Sequence, residues 1–528
     1  MPASKSSRQR RSSDRAAAAR RGAGGSIWPL AGVVVVLAAI SASAVWWFHA
    51  HQYLLSYGDA AAHLNIARRV VDCRSFTMKL LGTVWLPLPH LLMLPLVRND
   101  TLWRSGLAGA LPMAASFVAA GAFLFAALRR IYGGAAPAVA GVLVFALNPN
   151  LLYLQAAPMT EPLFFACLAG VLYFTTAWGQ QPRWWNFCGA AAAVLLATLT
   201  RYEGWVLIPL AAAYILMKAP RKRLTLAVLF CSLASAGALW WLAHNWWFWG
   251  DALEFYRGQW SARAIYERSL AQGMQAYPGD GDWAKAWLYF RTAARLCAGA
   301  PLFWMGVAGC AAALVKRAWW PVLLLAAPPA FYVASLRNAG TPIFVPELWP
   351  HTYYNARYGL AMLPLLALGA AGLAAVAPGK WRGAVAALAA ACAVAPWVMY
   401  PRAESWICWK EAQVNSEARR AWTRQAAGFF RENYRRGDGV FFSFGDLTAV
   451  MQEAGIPLRE TLHDGTEPLW HAALARPDLF ARERWVLAMS GDKVADALHH
   501  VRTPDIWERA AEIRVRGAPP VEIYKRTR

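Results

Sequence analysis

Long apolar runs separated by short clusters of Lys and Arg fill the chain from Ile27 to Tyr400. Reading each as a helix that crosses a hydrocarbon core predicts spans over 27–48, 105–128, 135–151, 162–178, 186–200, 204–217, 224–243, 299–315, 319–336, 358–377 and 383–400, about eleven in all. The "SASA" at 41–44 mimics a signal-peptide cleavage site, but roughly 22 apolar residues closed by Trp46 and Trp47 fit a retained span better. The stretch "VWLPLPHLLMLPLV" at 84–97 is an exception. At 1.5 Å per residue it covers only about 21 Å of a core roughly 30 Å thick, and three prolines interrupt it, so it should lie in the interface or re-enter.

Beyond Tyr400 the pattern changes. Of the 30 acids, 18 lie there, and no apolar run is long enough to span. Three short apolar or β-branched runs, "GVFFSFG", "RWVLAMSGD" and "PVEIYKR", alternate with segments of helical periodicity. These predict a small α/β domain over 401–528. The expected fold is mainly α: a polytopic helical membrane region over 27–400, preceded by a disordered basic cytoplasmic tail over 1–26 and followed by that domain.

Composition agrees. Of 528 residues, 58% are hydrophobic and only 16% charged, with 29 Trp, which excludes an ordinary water-soluble globule. The net charge of +23 sits in scattered clusters with no continuous basic face, so membrane orientation explains it and no nucleic-acid partner is expected. Threading alternately from a cytoplasmic N-terminus puts Arg129 and Arg130, Arg183, Lys218 with Arg221 to Arg223, Lys316 with Arg317, and Lys380 with Arg382 inside. Asp59, Asp72, Asp100, Glu161, Glu203, Asp251, Glu254 and Glu347 then fall at the outer face, as does the domain after 400. The expected location is the bacterial cytoplasmic membrane, with lipid around the spans. None of the eight cysteines shows metal-finger spacing; a bridge among Cys73, Cys297 and Cys408 is the one pairing left open.

The outer face carries the candidate chemistry. In "SYGDAAAHLNIARRVVDC", Leu64, Ile66, Ala67, Val70 and Val71 share one helical arc and Asn65, Arg68, Arg69 and Asp72 the other. This predicts an amphipathic helix lying flat on the outer membrane surface with Asp59 at its N-cap. In "MTEPLFF", Glu161 before Pro162 is a helix-start signal that also brings a carboxylate to the headgroups, where it needs a partner. "LTRYEGW" brings Arg201 and Glu203 to the same level, where they can pair with each other. "PHTYYNARYGL" opens a span with Arg357, able to snorkel or to grip a phosphate. The aromatic loop "HNWWFWGDALEFYRGQW" supplies belt residues and flat walls for a sugar or a prenyl chain.

Taken together, an acid just after the first span in "YGDAAAH", a juxtamembrane helix, a Pro-rich interfacial run, an outer "MTEP" and a late outer "RYGL" resemble the membrane glycosyltransferases of the GT-C fold. Over roughly 27–400 the chain is most similar to the bacterial glycosyltransferase family 39 type, related to protein mannosyltransferases and to aminoarabinose transferases of lipid A. The resemblance implies a polyprenyl-phosphate sugar as donor and the aspartate of the first outer loop, here Asp59, as catalytic base. Some members carry an acid-Lys-Pro-Pro element in that loop; here the region reads "WLPLPH", with His90 and no acid or lysine.

The expected reaction is inverting transfer. Asp59 takes the proton of an acceptor hydroxyl or amine, and Arg357, with Arg201 and His90, steadies the departing phosphate. Glu161, Glu203 and His63 are expected to orient the acceptor or to hold a divalent ion. The sequence leaves the acceptor, whether protein, lipid or glycan, unassigned. A transporter or flippase of lipid-linked sugars is the competing reading. It would favour ionisable groups near the bilayer midplane and internal repeats, and the chain shows neither. A scaffold whose outer domain binds a partner would leave Asp59 and Glu161 with no role beyond capping.

Overall fold

In the computed structural model of the protein the described residues are 28–74, 76–338, 340–400, 405–499, 501 and 506–527. The basic tail expected over 1–26 lies outside them.

The apolar runs form helices, the element that satisfies every backbone N–H and C=O within one segment of a hydrocarbon environment. Among the described residues seven are long and apolar enough to cross a membrane: Pro29–Ala50, Leu107–Tyr132, Glu161–Gln180, Arg223–Trp249, Trp319–Arg337, Ala356–Val376 and Gly379–Met399. Counting each of two bent pairs as one span gives nine: Ala135–Ala146 with Pro149–Ala156, bent by 63°, and Trp283–Ala298 with Ala300–Val315, bent by 111°. The protein is thus a multi-pass membrane protein. Two expected spans form helices too short for a straight crossing. Over 186–200 the helix is Trp184–Thr198, 15 residues, and over 204–217 it is Leu207–Lys218, 12 residues, because a 3-10 turn at Tyr202–Val206 takes up the chain between them. The Pro-rich stretch forms only the 10-residue helix Leu88–Val97, as its length required.

Where the helices meet, small residues let backbones touch. A Cβ on Gly309 would stand 2.2 Å from the carbonyl oxygen of Gly369, so Ala300–Val315 and Leu363–Val376 pack with no room for a side chain. The same device acts beside the site. A Cβ on Gly359 would lie 2.4 Å from the backbone of Ala293, which presses the 3-10 helix Ala356–Met362 against Trp283–Ala298.

After the membrane region a 27-residue amphipathic helix, Ile407–Asn433, leads into a five-stranded sheet. Its strands are β1 (Val440–Phe442), β2 (Thr461–Leu462), β3 (Trp485–Met489), β4 (Trp507–Ile513) and β5 (Val521–Arg526), in the order β2-β1-β3-β5-β4. β1 runs parallel to β2 and β3, while β5 pairs antiparallel with β3 and β4. Phe430, Phe442, Trp485 and Ile523 fill a core on one face, and Phe441, Trp470 and Val486 fill another on the opposite face. Burial on both faces is why β1 and β3 read as unbroken apolar runs.

The helix after the first span, Gly58–Val71, differs from expectation. Its polar arc does not face water or headgroups; Asn65, Arg68 and Asp72 are buried. Arg68 donates to Asp72, Asp100 and the Val97 carbonyl at 2.5 to 2.8 Å. Asp72 also accepts from the Leu458 N–H at 3.0 Å and from Arg459 at 2.7 Å, and Gln452 donates to the Trp103 carbonyl at 2.7 Å. The polar face is therefore the surface on which the C-terminal region docks, and the apolar face, through Leu64 and Ala67, packs on Met93, Val97 and Met113. A helical wheel records only that a face is polar, and protein partners satisfy it here in place of solvent.

The cysteine pairing resolves in part. Cys297 and Cys408 bring their thiol sulfurs to 4.0 Å, whereas Cys73 lies apart from them, 4.0 Å from His463 Nε2 and 3.4 Å from the Gly465 carbonyl.

Candidate active site

Four distant segments bring their charged residues together. Asp59 is the second residue of Gly58–Val71, so it is not the N-cap, which is Tyr57. Its carboxylate pairs with the Arg357 guanidinium instead of a backbone N–H. An acid in the first turn still gains from the helix dipole. Glu161 opens the helix Glu161–Gln180, as the Thr-Glu-Pro signal predicts. Its Oε1 accepts from Arg357 Nε and from Arg201 Nη1, both at 3.1 Å, while its buried Oε2 has no hydrogen-bond partner among the described residues.

Arg201 is more fully engaged. It donates to Glu203 at 2.5 Å, to Thr160 Oγ1 at 2.5 Å and to the Tyr332 hydroxyl at 2.5 Å, and that hydroxyl donates on to Glu203 at 2.7 Å. Arg201 and Glu203 therefore pair as their spacing suggested, with Glu161 added. Arg357 is the second residue of Ala356–Met362. Its guanidinium carbon lies 4.7 Å from the Tyr57 ring centre and 4.9 Å from that of Tyr358, so two aromatic faces hold it flat. With Nε on Glu161 and Nη2 on Asp59, its Nη1 group is left without a hydrogen-bond acceptor among the described residues.

All of these residues line one cavity of about 1650 Å³. Arg357 and Glu161 are sunk in its wall, with side chains 5% exposed, while Asp59, at 35%, faces the open space. Trp249, Phe255, Tyr256 and Trp260 from the aromatic loop form part of another wall, whereas Trp246 and Trp247 are exposed on the outside of the protein. A chamber of this size admits a sugar and part of a lipid chain.

Among the expected site residues His90 is displaced. It is fully buried, does not line the cavity, and sits behind His63, whose Nδ1 lies 2.9 Å from His90 Nε2. A group shielded in this way does not reach a donor phosphate. His63 itself lines the cavity. Burial, then the positive charges of Arg357 and Arg201, holds its imidazole down to about 3. It binds its proton more weakly folded than unfolded, so its stabilising effect is complete above pH ~6.5 and is lost as pH falls towards ~3. Thermal unfolding of the solubilised protein is therefore expected to move to lower temperature between about pH 7 and pH 4, and His63→Gln to flatten that slope. An unchanged slope in the variant would contradict this environment for His63.

The first outer loop places two cations on the cavity, Arg69 and Lys79, and Lys79 is paired with Glu467 at 2.5 Å. Both lie ahead of the Pro-rich run and so escape a motif confined to that run. Glu411, Tyr57, Tyr332 and Tyr358 are further lining residues that the sequence reading passed over. Only Tyr57 and Tyr358, as the aromatic neighbours of "GD" and "AR", carried any signal.

Among the described residues no three His, Cys, Asp or Glu side chains converge as metal ligands. The bonded oxygens of Glu161 and Glu203 are committed to Arg201 and Arg357, cations that would repel an added one.

Comparison with known proteins supports the architecture. A family profile described as dolichyl-phosphate-mannose-protein mannosyltransferase matches residues 101–248, the portion that contains Glu161, Arg201 and Glu203. No curated protein matches the chain by sequence. Among solved structures, ArnT from Cupriavidus metallidurans in the apo state superposes with a TM-score of 0.55 at 15% identity, covering 93% of this chain and 98% of that one. The same protein bound to undecaprenyl phosphate gives 0.50 at 15% identity over the same shares. The oligosaccharyltransferase AglB from Archaeoglobus fulgidus, with an inhibitory peptide and a dolichol-phosphate, gives 0.49 at 14% identity, covering 88% of this chain and 69% of that one. The helical membrane region, the C-terminal sheet and the matched profile together give the chain a GT-C membrane glycosyltransferase fold, similar to those of mannosyltransferases and aminoarabinose transferases.

Proposed function

We propose that the protein is an integral-membrane glycosyltransferase that moves a sugar from polyprenyl phosphate to an acceptor hydroxyl or amine, with inversion, at the outer face of the bacterial cytoplasmic membrane. The observation that carries this reading is the Asp59–Arg357 pair on a shared cavity, with the carboxylate open to it and the guanidinium in its wall. ArnT, which shares the fold, has been crystallised with undecaprenyl phosphate, which supports a lipid-phosphate donor.

The chemistry follows charge. The donor is a phosphodiester with one negative charge, and the released polyprenyl phosphate monoester carries up to two. As the acceptor oxygen or nitrogen bonds to the anomeric carbon and the carbon–oxygen bond to phosphate breaks, the acceptor proton passes to Asp59. Asp59 thus loses a negative charge as the phosphate gains one. Arg357 can serve both ends of that exchange, turning from the carboxylate to the leaving group, with Nη1 open to the first phosphate oxygen. Arg201, spent on Glu203, Thr160, Tyr332 and Glu161, keeps Glu161 and the floor of the site in place. In this reading Arg201 acts on the phosphate only through its field. Glu161 Oε2 is an unpaired acceptor buried in the wall, which a turn of the side chain would present to a hydroxyl of the sugar or of the acceptor.

Incubating the purified protein with a panel of polyprenyl-phosphate sugars and a membrane extract as acceptor source tests the proposal. Release of polyprenyl phosphate from at least one donor is expected, undiminished by a chelator, since the carboxylates are held by arginines. No release from any donor, together with movement of lipid-linked sugar across vesicle bilayers, would favour the transporter.

A further inference from the structure

We propose that Glu411, on the helix Ile407–Asn433 that follows the membrane region, is a positioning residue that sets the separation of Asp59 and Arg357. This rests on the transfer reading above and adds to it a role for the C-terminal region.

The Glu411 side chain is buried, and its two oxygens hold two separate strands of the site. Oε1 accepts from the Tyr57 hydroxyl and from the Asn355 N–H at 2.7 Å, and Oε2 accepts from the Ala356 N–H at 2.9 Å. Tyr57 is the N-cap residue of the helix whose second residue is Asp59, and Asn355 is the N-cap residue of the 3-10 helix whose second residue is Arg357. One carboxylate therefore ties together the starts of both elements, two residues ahead of each member of the catalytic ion pair.

Neither start is fixed by its own cap. Tyr57 and Asn355 make no side-chain capping bond, so the leading N–H groups at 355 and 356 depend on Glu411. Asn355 also stands in the left-handed region, at φ 54°, a conformation that an asparagine tolerates but that needs holding. Glu411 is itself anchored. One turn earlier, the Cys408 N–H donates to Asn150 Oδ1 at 3.0 Å, and further along the same helix Arg419 donates to the Ser56 carbonyl at 2.8 Å. A packing role alone would not call for a buried carboxylate, whose desolvation is costly and which an apolar side chain would avoid. What the carboxylate adds is geometry: three acceptor bonds reaching two strands at once. Displacements of about 1 Å between reacting groups lower rates by around 100-fold.

Steady-state kinetics of Glu411→Gln and Tyr57→Phe, against varied donor lipid, test the proposal. Tyr57→Phe keeps the ring beneath Arg357 and both backbone bonds, and frees only the Asp59 side. It is expected to lower kcat by about tenfold with the donor KM within about twofold. In Glu411→Gln the amide oxygen still accepts from Tyr57 and Asn355, while the amide N–H meets the Ala356 N–H and loosens the Arg357 side. It is expected to raise the donor KM by about tenfold, and Glu411→Asp, too short to reach both elements, to show both losses in part. The double variant should combine the kcat loss of Tyr57→Phe with the KM rise of Glu411→Gln. Wild-type kinetics in both single variants, or equal proportional losses that simply follow the amount of folded protein, would overturn the role of Glu411 and leave the transfer reading standing. A wild-type protein that releases no polyprenyl phosphate would overturn both.

Discussion

Asp59→Asn is expected to lower sugar-transfer turnover by roughly 10²–10⁴-fold while the protein still inserts and still binds the donor lipid. The amide has the carboxylate's shape, and its oxygen can still accept from Arg357, so the wall of the cavity should keep its form. What it lacks is a place for the acceptor proton. Loss of the Asp59–Arg357 charge pair should disturb folding little, because the aspartate side chain is 35% exposed and water screens it. Single-turnover release of polyprenyl phosphate, read beside binding of the intact donor, separates the two effects. Turnover near wild type would remove Asp59 as the base.

Arg357→Ala is expected to raise the apparent KM for the donor lipid and to lower kcat/KM by roughly 10²–10³-fold. Two losses combine. The phosphate loses its guanidinium, and Asp59 and Glu161 are left facing each other across the site with only Arg201 near Glu161. The second loss threatens folding, since the buried Glu161 carboxylate gives up one of its two arginine partners. Arg357→Lys is the cleaner variant. It keeps the charge but cannot serve Asp59, Glu161 and a phosphate together from one planar group, so the donor KM should rise while the folded yield holds. An unchanged donor dependence in both variants would take Arg357 out of the phosphate site.

The parts of this site that were legible in the sequence are those whose chemistry conflicts with their surroundings. Asp59, Glu161, Arg201, Glu203 and Arg357 stand out because charges at the ends of apolar helices need partners, and the structure shows those partners to be one another. His90 carried no such conflict. A histidine in a Pro-rich apolar run serves equally well behind a site as in it, and packing against His63 put it behind. Glu411 was hidden for the opposite reason: in an amphipathic helix that carries charges of both signs, one glutamate is unremarkable until the chain folds it back onto Tyr57 and Asn355.

The fold divides along similar lines. Apolar length predicted where helices lie, but not that the Tyr202–Val206 turn takes the start of one of them, nor that two pairs bend. β1, β3 and β5 coincide with the three apolar runs after Tyr400, whereas β4, "WERAAEI", escaped because an edge strand with exposed, charged positions has no apolar period to follow. The polar arc of Gly58–Val71 was correctly drawn and given to the wrong neighbour, since periodicity says nothing about whether water or protein covers a face.

The most direct test of the whole account is the distance from the Arg357 guanidinium to the phosphate in a structure of the protein bound to polyprenyl phosphate. A charge-assisted hydrogen bond of about 2.7–2.9 Å from Arg357 is expected, with the Asp59 carboxylate turned to the same chamber. A phosphate seated beyond reach of Arg357, or outside the cavity that Asp59 faces, would contradict it.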